Sequence, residues 1–254
     1  MFRNSSKITT PVIKKAPFPS SPMHLIDAGV ILLSFLASIV FSILIIIFKE
    51  IAGIGSLSQI LHVPSDVLQI FSEYMVATFI LSVFFFFILR RHRLSLINFG
   101  FRPLPIFKTL AYVILAFMVT FVMWIIVAPI ILIYLPEINL EQSQEIFKPD
   151  MTILAQILLV FYAVILGPFI EEVVFRGIIL TAVSNRWGFI VGIVLSTLIW
   201  SLLHFQINII IFTSLFGIVL SYIYLKSQSL WPSFLTHVFK NLIAVIAIYL
   251  FGLY

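Results

Sequence analysis

Glu171 and Glu172 stand side by side in an apolar stretch, and no other acidic residue occurs between Met151 and the C-terminus. Two neighbouring carboxylates at membrane depth are costly unless something pairs with them. Glu172 and Arg176 are four residues apart, so on a helix they share a face and form an ion pair. Glu171 is turned about 100° away from Glu172 and has no such partner at helical spacing, which leaves it free for proton transfer. Two histidines also lie within apolar segments, His204 and His237. His237 and Asn241 share a helix face, as do Trp200 and His204. Glu171 precedes the turn at Arg186 by about as many residues as His204 follows it, so antiparallel helices would bring carboxylate and imidazole to similar depth. An acid, a base and two donors are what amide hydrolysis requires. Each piece also has a plainer reading: a buried Glu–Arg pair is often structural, and a lone membrane His or Asn is often an interhelical hydrogen bond. The joint pattern on the last four apolar segments is what favours chemistry.

The elements that must position these residues are membrane helices. The chain has 254 residues, of which 62% are hydrophobic and 10% charged, and its mean hydropathy is +1.20. A soluble core has no use for that much apolar surface. The expected fold is all-α, a polytopic transmembrane bundle of about seven spans, since about 20 apolar residues cross the hydrocarbon. The runs are Ala28–Phe48, Val67–Leu89, Thr109–Leu135, Thr152 to about Val183, Trp187–His204, Ile207–Leu225 and Leu230–Tyr254. Pro129 is expected to kink the third run, and Phe84–Phe87 reads as a lipid-facing surface. Residues 1–24 form a basic cytosolic tail without the apolar core of a signal peptide, residues 25–150 the N-terminal helices, and residues 151–254 a catalytic core.

The loops orient the bundle. The tail carries Arg3, Lys7, Lys14 and Lys15, and the loop after the second span carries Arg90, Arg91, Arg93, Arg102 and Lys108. Arg186 and Lys226 lie on the same side. The opposite loops, 49–66 and 136–150, hold only Lys49 and Lys148, and the second is acidic through Glu137, Glu141, Glu145 and Asp150. The positive-inside rule then places the N-terminus in the cytosol and the C-terminus outside, in the cell membrane. The net charge of +5 therefore faces lipid headgroups, and no basic stripe interleaved with aromatics points to nucleic acid. The chain has no cysteine, which removes disulfides, thiolate metal sites and cysteine nucleophiles.

Three motifs in order carry a resemblance. Glu171-Glu172-x-x-x-Arg176, flanked by Gly167-Pro168 and Gly177, resembles the EExxxR signature of the CAAX-protease and bacteriocin-processing (Abi, or CPBP) membrane proteins. Trp200-Ser-Leu-Leu-His204 is similar to the family's second motif, and His237-Val-Phe-Lys-Asn241 to its HxxxN motif, preceded by a similar Ser229-Leu-Trp-Pro232. The likeness covers about 151–245. It implies an intramembrane endopeptidase related to the type 2 CAAX prenyl endopeptidase. Carried over, Glu171 and His204 activate water, His237 and Asn241 form the oxyanion hole, and Glu172 with Arg176 holds the helix. Such proteins are often described as metalloproteases, in which case Glu171, His204 and His237 would ligate zinc. The HExxH spacing is absent, so no metal cofactor is expected. The implied partners are a membrane-associated peptide or protein substrate and the bilayer. Prenylated substrates are not implied, because seven spans are read where the prenyl endopeptidase has eight. The rival reading is a non-catalytic binding protein of the same fold, serving self-immunity or regulating a membrane partner. A transporter is a third, without an internal repeat to support it.

Overall fold

The computed structural model describes residues 23–51, 62–93, 95–138, 140 and 151–251. Residues 1–22 of the basic tail and most of the 49–66 and 136–150 loops lie outside these residues, as does the end of the seventh run. Among the described residues all regular structure is helical. We name seven long helices: α1 (Leu25–Ile51), α2 (65–92), α3 (Ile106–Tyr134), α4 (Ile153–Trp187), α5 (Phe189–Leu202), α6 (Ile207–Ser227) and α7 (Leu230–Phe251). A one-turn helix, Leu96–Phe99, sits between α2 and α3. Five stretches, within α2, α3, α4, α6 and α7, are long and apolar enough to cross a bilayer, while Leu25–Phe41 of α1 and α5 are shorter apolar helices. The seven runs read from the sequence thus correspond to seven helices. The 14 residues of α5 rise only about 21 Å.

Prolines and glycines set the boundaries. Pro64 and Pro105 immediately precede α2 and α3, where a missing N–H costs nothing. Thr152 caps α4 by accepting from the Ala155 amide, and Asp66 at the start of α2 accepts from the Thr152 amide at 2.7 Å and hydroxyl at 2.9 Å. These bonds hold the Asp66 carboxyl below its ordinary range, the backbone amide of Thr152 being the main cause. At the other end of the bundle, Asp27 near the start of α1 takes bonds from the His24 amide at 2.8 Å and the His92 ring at 3.0 Å. Each outer connection is therefore a carboxylate tied to a neighbouring helix. Gly188, at φ 87°, separates α4 from α5. Pro129 lies inside α3, as expected.

The core gathers round the second half of α4, where every residue from Glu172 to Ser184 is buried. α1, α2, α5, α6 and α7 all contribute to it through residues such as Ile31, Phe84, Trp200, Leu220 and Leu230. Phe84 is fully buried, whereas Phe86 and Phe87 face outward, so the phenylalanine run is lipid-facing only in its later part. Small residues let α5 come close: Gly192, Ser196, Thr197 and Ser201 are buried, as expected of helices packing without a hydrophobic drive between them. The Ser196 hydroxyl donates to the Phe175 carbonyl at 2.7 Å. That carbonyl belongs to a π-helical stretch, Glu172–Leu180; a second one spans Tyr162–Leu166. π turns displace carbonyls from the ordinary ladder and are common at functional sites.

Candidate active site

The three motifs, separate in the sequence, form a cluster where α4, α5 and α7 meet. Glu172 and Arg176 are both fully buried, and the guanidinium donates to the Glu172 carboxylate at 2.9 Å. The spacing predicted this pair. Arg176 also lies over the Trp200 ring, 4.3 Å from its centre, a favourable place for a desolvated cation. Glu172 has a second neighbour that the sequence does not announce: His237 Nδ1 is 3.1 Å from the same carboxylate oxygen. A carboxylate only accepts, so His237 donates from Nδ1.

Glu171 is not without partners, contrary to the reading from helical spacing. The Trp200 indole N–H donates to its carboxylate at 2.6 Å, and His237 Nε2 lies 3.7 Å from the same oxygen. Both partners come from other helices, which spacing along α4 does not reveal. Glu171 nevertheless differs from its neighbour: its side chain is 29% exposed, while that of Glu172 is 0% exposed. At 3.7 Å the imidazole and Glu171 are beyond a direct hydrogen bond. With Nδ1 committed to Glu172, Nε2 of a neutral ring faces the carboxylate lone pair to lone pair. A proton on either group, or a water between them, completes the contact.

His204 lies just past the end of α5, in the turn before Phe205 at φ 57°. Its Nδ1 is 3.0 Å from the Trp200 carbonyl. A carbonyl only accepts, so the neutral ring carries its proton on Nδ1 and keeps the Nε2 lone pair available. Among the described residues no hydrogen bond or ion pair joins Glu171 directly to His204. Trp200 links them instead, its indole on the carboxylate and its carbonyl on the imidazole. Asn241 donates to the Ala163 carbonyl at 2.7 Å, in the first π turn of α4. One amide hydrogen is spent there and the second remains.

Trp200, which the sequence marks as a spacing partner of His204 and as the aromatic of the second motif, is the hub of the site. Its ring also meets those of His204, His237 and Phe216. Gly217 on α6 makes room for it: a Cβ there would stand 3.0 Å from the indole and 2.9 Å from the Thr197 methyl. Lys240 is the other residue passed over, although a lysine in an apolar run is a signal in itself. Its ammonium lies 5.6 Å from the centre of the Phe212 ring.

The donor set does not suit a metal in this arrangement. Among the described residues no group of three His, Cys, Asp or Glu side chains is placed to hold an ion. His237 faces both glutamates, and His204 is turned to the Trp200 carbonyl.

Comparison with known proteins agrees with the motifs. Residues 153–243, a little over a third of the chain, match the family model described as type II CAAX prenyl endopeptidase Rce1-like. A Bacillus subtilis (strain 168) protein named "Putative membrane peptidase YdiL" is 26% identical over 89 residues, which is 35% of this chain and 36% of that protein. The chain thus matches little more than a third of that relative's length. No solved structure matches. The matched segment runs from the start of α4 into α7 and contains all three motifs.

Proposed function

We propose that the chain is an intramembrane endopeptidase acting on a membrane-associated peptide or protein. The observation that carries this reading is the Glu171 carboxylate, held by the Trp200 indole at 2.6 Å and approached by His237 at 3.7 Å inside an apolar bundle. The matched family segment supports a membrane protease at the same place. In our reading Glu171 takes the proton of an attacking water while Trp200 fixes the carboxylate. His204 offers its Nε2 lone pair as the second base. The carbonyl oxygen turns negative as water adds, and two donors stabilise it: the Nε2–H that His237 carries as an imidazolium, with Nδ1–H still on Glu172, and the second amide hydrogen of Asn241. The proton on Glu171 or His204 then passes to the leaving amine. Glu172 and Arg176 orient His237 and hold α4.

Two features of the geometry favour the binding-protein alternative: Glu171 and His204 do not touch, and Asn241 is engaged on α4. One variant separates the readings. Glu171→Gln preserves shape and the indole contact but removes the base. For an enzyme it abolishes turnover, measured by product analysis in membranes, while thermal stability stays near that of the parent chain. Full biological function in Glu171→Gln would transfer the role to binding. We also place the N-terminus in the cytosol and the 136–150 loop outside. An alkaline-phosphatase fusion at Gln142 should be active and one at Asn98 silent; the reverse would mean a miscounted span.

A further inference from the structure

Lys240 lies ten residues after the start of α7, about 15 Å along the helix. That is too deep for its four-carbon stem to carry the ammonium back to the interface. The residue is intermediate in exposure. Its ammonium lies 5.6 Å from the centre of the Phe212 ring, near the outer limit of a cation–π contact. Among the described residues it makes no hydrogen bond or ion pair. Arg176, by contrast, is tied to a carboxylate, that of Glu172. A compact ammonium with three donors is expensive to leave unpaired at this depth. Its place in the sequence fits a use at the site, for it follows His237 by three positions and so shares its face, with Cβ atoms about 5–6 Å apart.

We infer that Lys240 is a specificity-determining residue that receives a carboxylate of the bound chain, either an acidic side chain or a free carboxyl end. The inference rests on the peptidase reading and adds the substrate class to it. An extended chain advances about 3.3–3.6 Å per residue, so the recognised carboxylate lies within about two residues of the bond that is cut.

The test uses the full chain in lipid nanodiscs and quenched fluorescent apolar nonapeptides in matched forms. One form is neutral with a carboxamide end, and one has a free carboxyl end. A third keeps the carboxamide and carries a single Glu moved through the central positions, and a fourth has Gln in its place. Binding and cleavage are read in the same samples. We expect at least one anionic form to bind about 10–100-fold more tightly than its neutral counterpart. The ratio should fall to about one in Lys240→Met and persist in Lys240→Arg. Which form shows the preference identifies the source of the carboxylate. Equal binding of all forms, or a preference that survives Lys240→Met, overturns the inference. Lys240→Gln serves in its place where the methionine variant fails to fold. Cleavage without carboxylate preference removes the role of Lys240 and leaves the peptidase standing. Carboxylate-dependent binding without cleavage of any form removes the peptidase and keeps the recognition.

Discussion

α3 and α4 are the two longest apolar spans, and they are put to opposite uses. Ile106–Tyr134 has a mean hydropathy of 2.7 and only 17% of its spanning window is buried; Ile153–Trp187 has 2.4 and 33%. By hydropathy they are nearly the same helix. α3 is regular, packs its few buried residues on α6 and α7, and turns Ile114, Phe121, Ile126 and Ile133 outward. α4 contains two π-helical stretches and an ion pair, and it is buried without a break from Glu172 to Ser184. Apolar length selects the bilayer as solvent and says nothing about which helix the others gather round. The buried charges make that distinction.

The comparison breaks first at Glu172. Glu172→Gln leaves Arg176 buried without its anion, a loss of roughly 3–5 kcal/mol, and weakens the hold on His237. Both thermal stability in detergent and any turnover should fall sharply. Combining it with Arg176→Met should recover part of the stability. A Glu172→Gln chain as stable as the parent would show that the pair does not organise α4. Next comes Gly217, which belongs to neither helix but serves α4 through Trp200. Gly217→Ala forces the indole or Thr197 aside, at a cost of about 1–3 kcal/mol. Because the indole positions Glu171, turnover should drop by more than the stability loss explains; an unchanged rate would dissociate Trp200 from the chemistry. The smallest effect belongs to α3. Ile133 is 71% exposed, and Ile133→Ala should shift the unfolding midpoint by no more than the scatter of repeat measurements. A loss comparable to a core substitution would mean that a partner covers this face.

Much of this was legible in the sequence. The seven runs emerged as helices because backbone groups in lipid must be satisfied within the helix, and the Glu172–Arg176 pair followed from spacing on one helix. What spacing does not show is the angle at which helices present their faces to one another. That is why the partners of Glu171 came as a finding: Trp200 and His237 reach it from α5 and α7. For the same reason the expected meeting of Glu171 with His204 was replaced by a contact relayed through Trp200. Spacing along one chain does not give the azimuth of each helix. The roll of Lys240 toward Phe212 belongs to the same class of information.

In the proposed peptidase, the brevity of α5 bears on the supply of the second reactant. Hydrolysis consumes water, which hydrocarbon excludes, so a buried protease depends on delivery as much as on catalytic groups. A helix that rises about 21 Å falls short of a hydrocarbon slab about 30 Å thick, and such a mismatch is relieved by local thinning of the bilayer or by water following polar groups inward. α5 ends at Leu202, and His204 follows it one turn beyond the tryptophan that holds Glu171. The short helix thus brings the aqueous boundary toward the carboxylate, and the lipid around it becomes a variable that sets how readily the site is wetted.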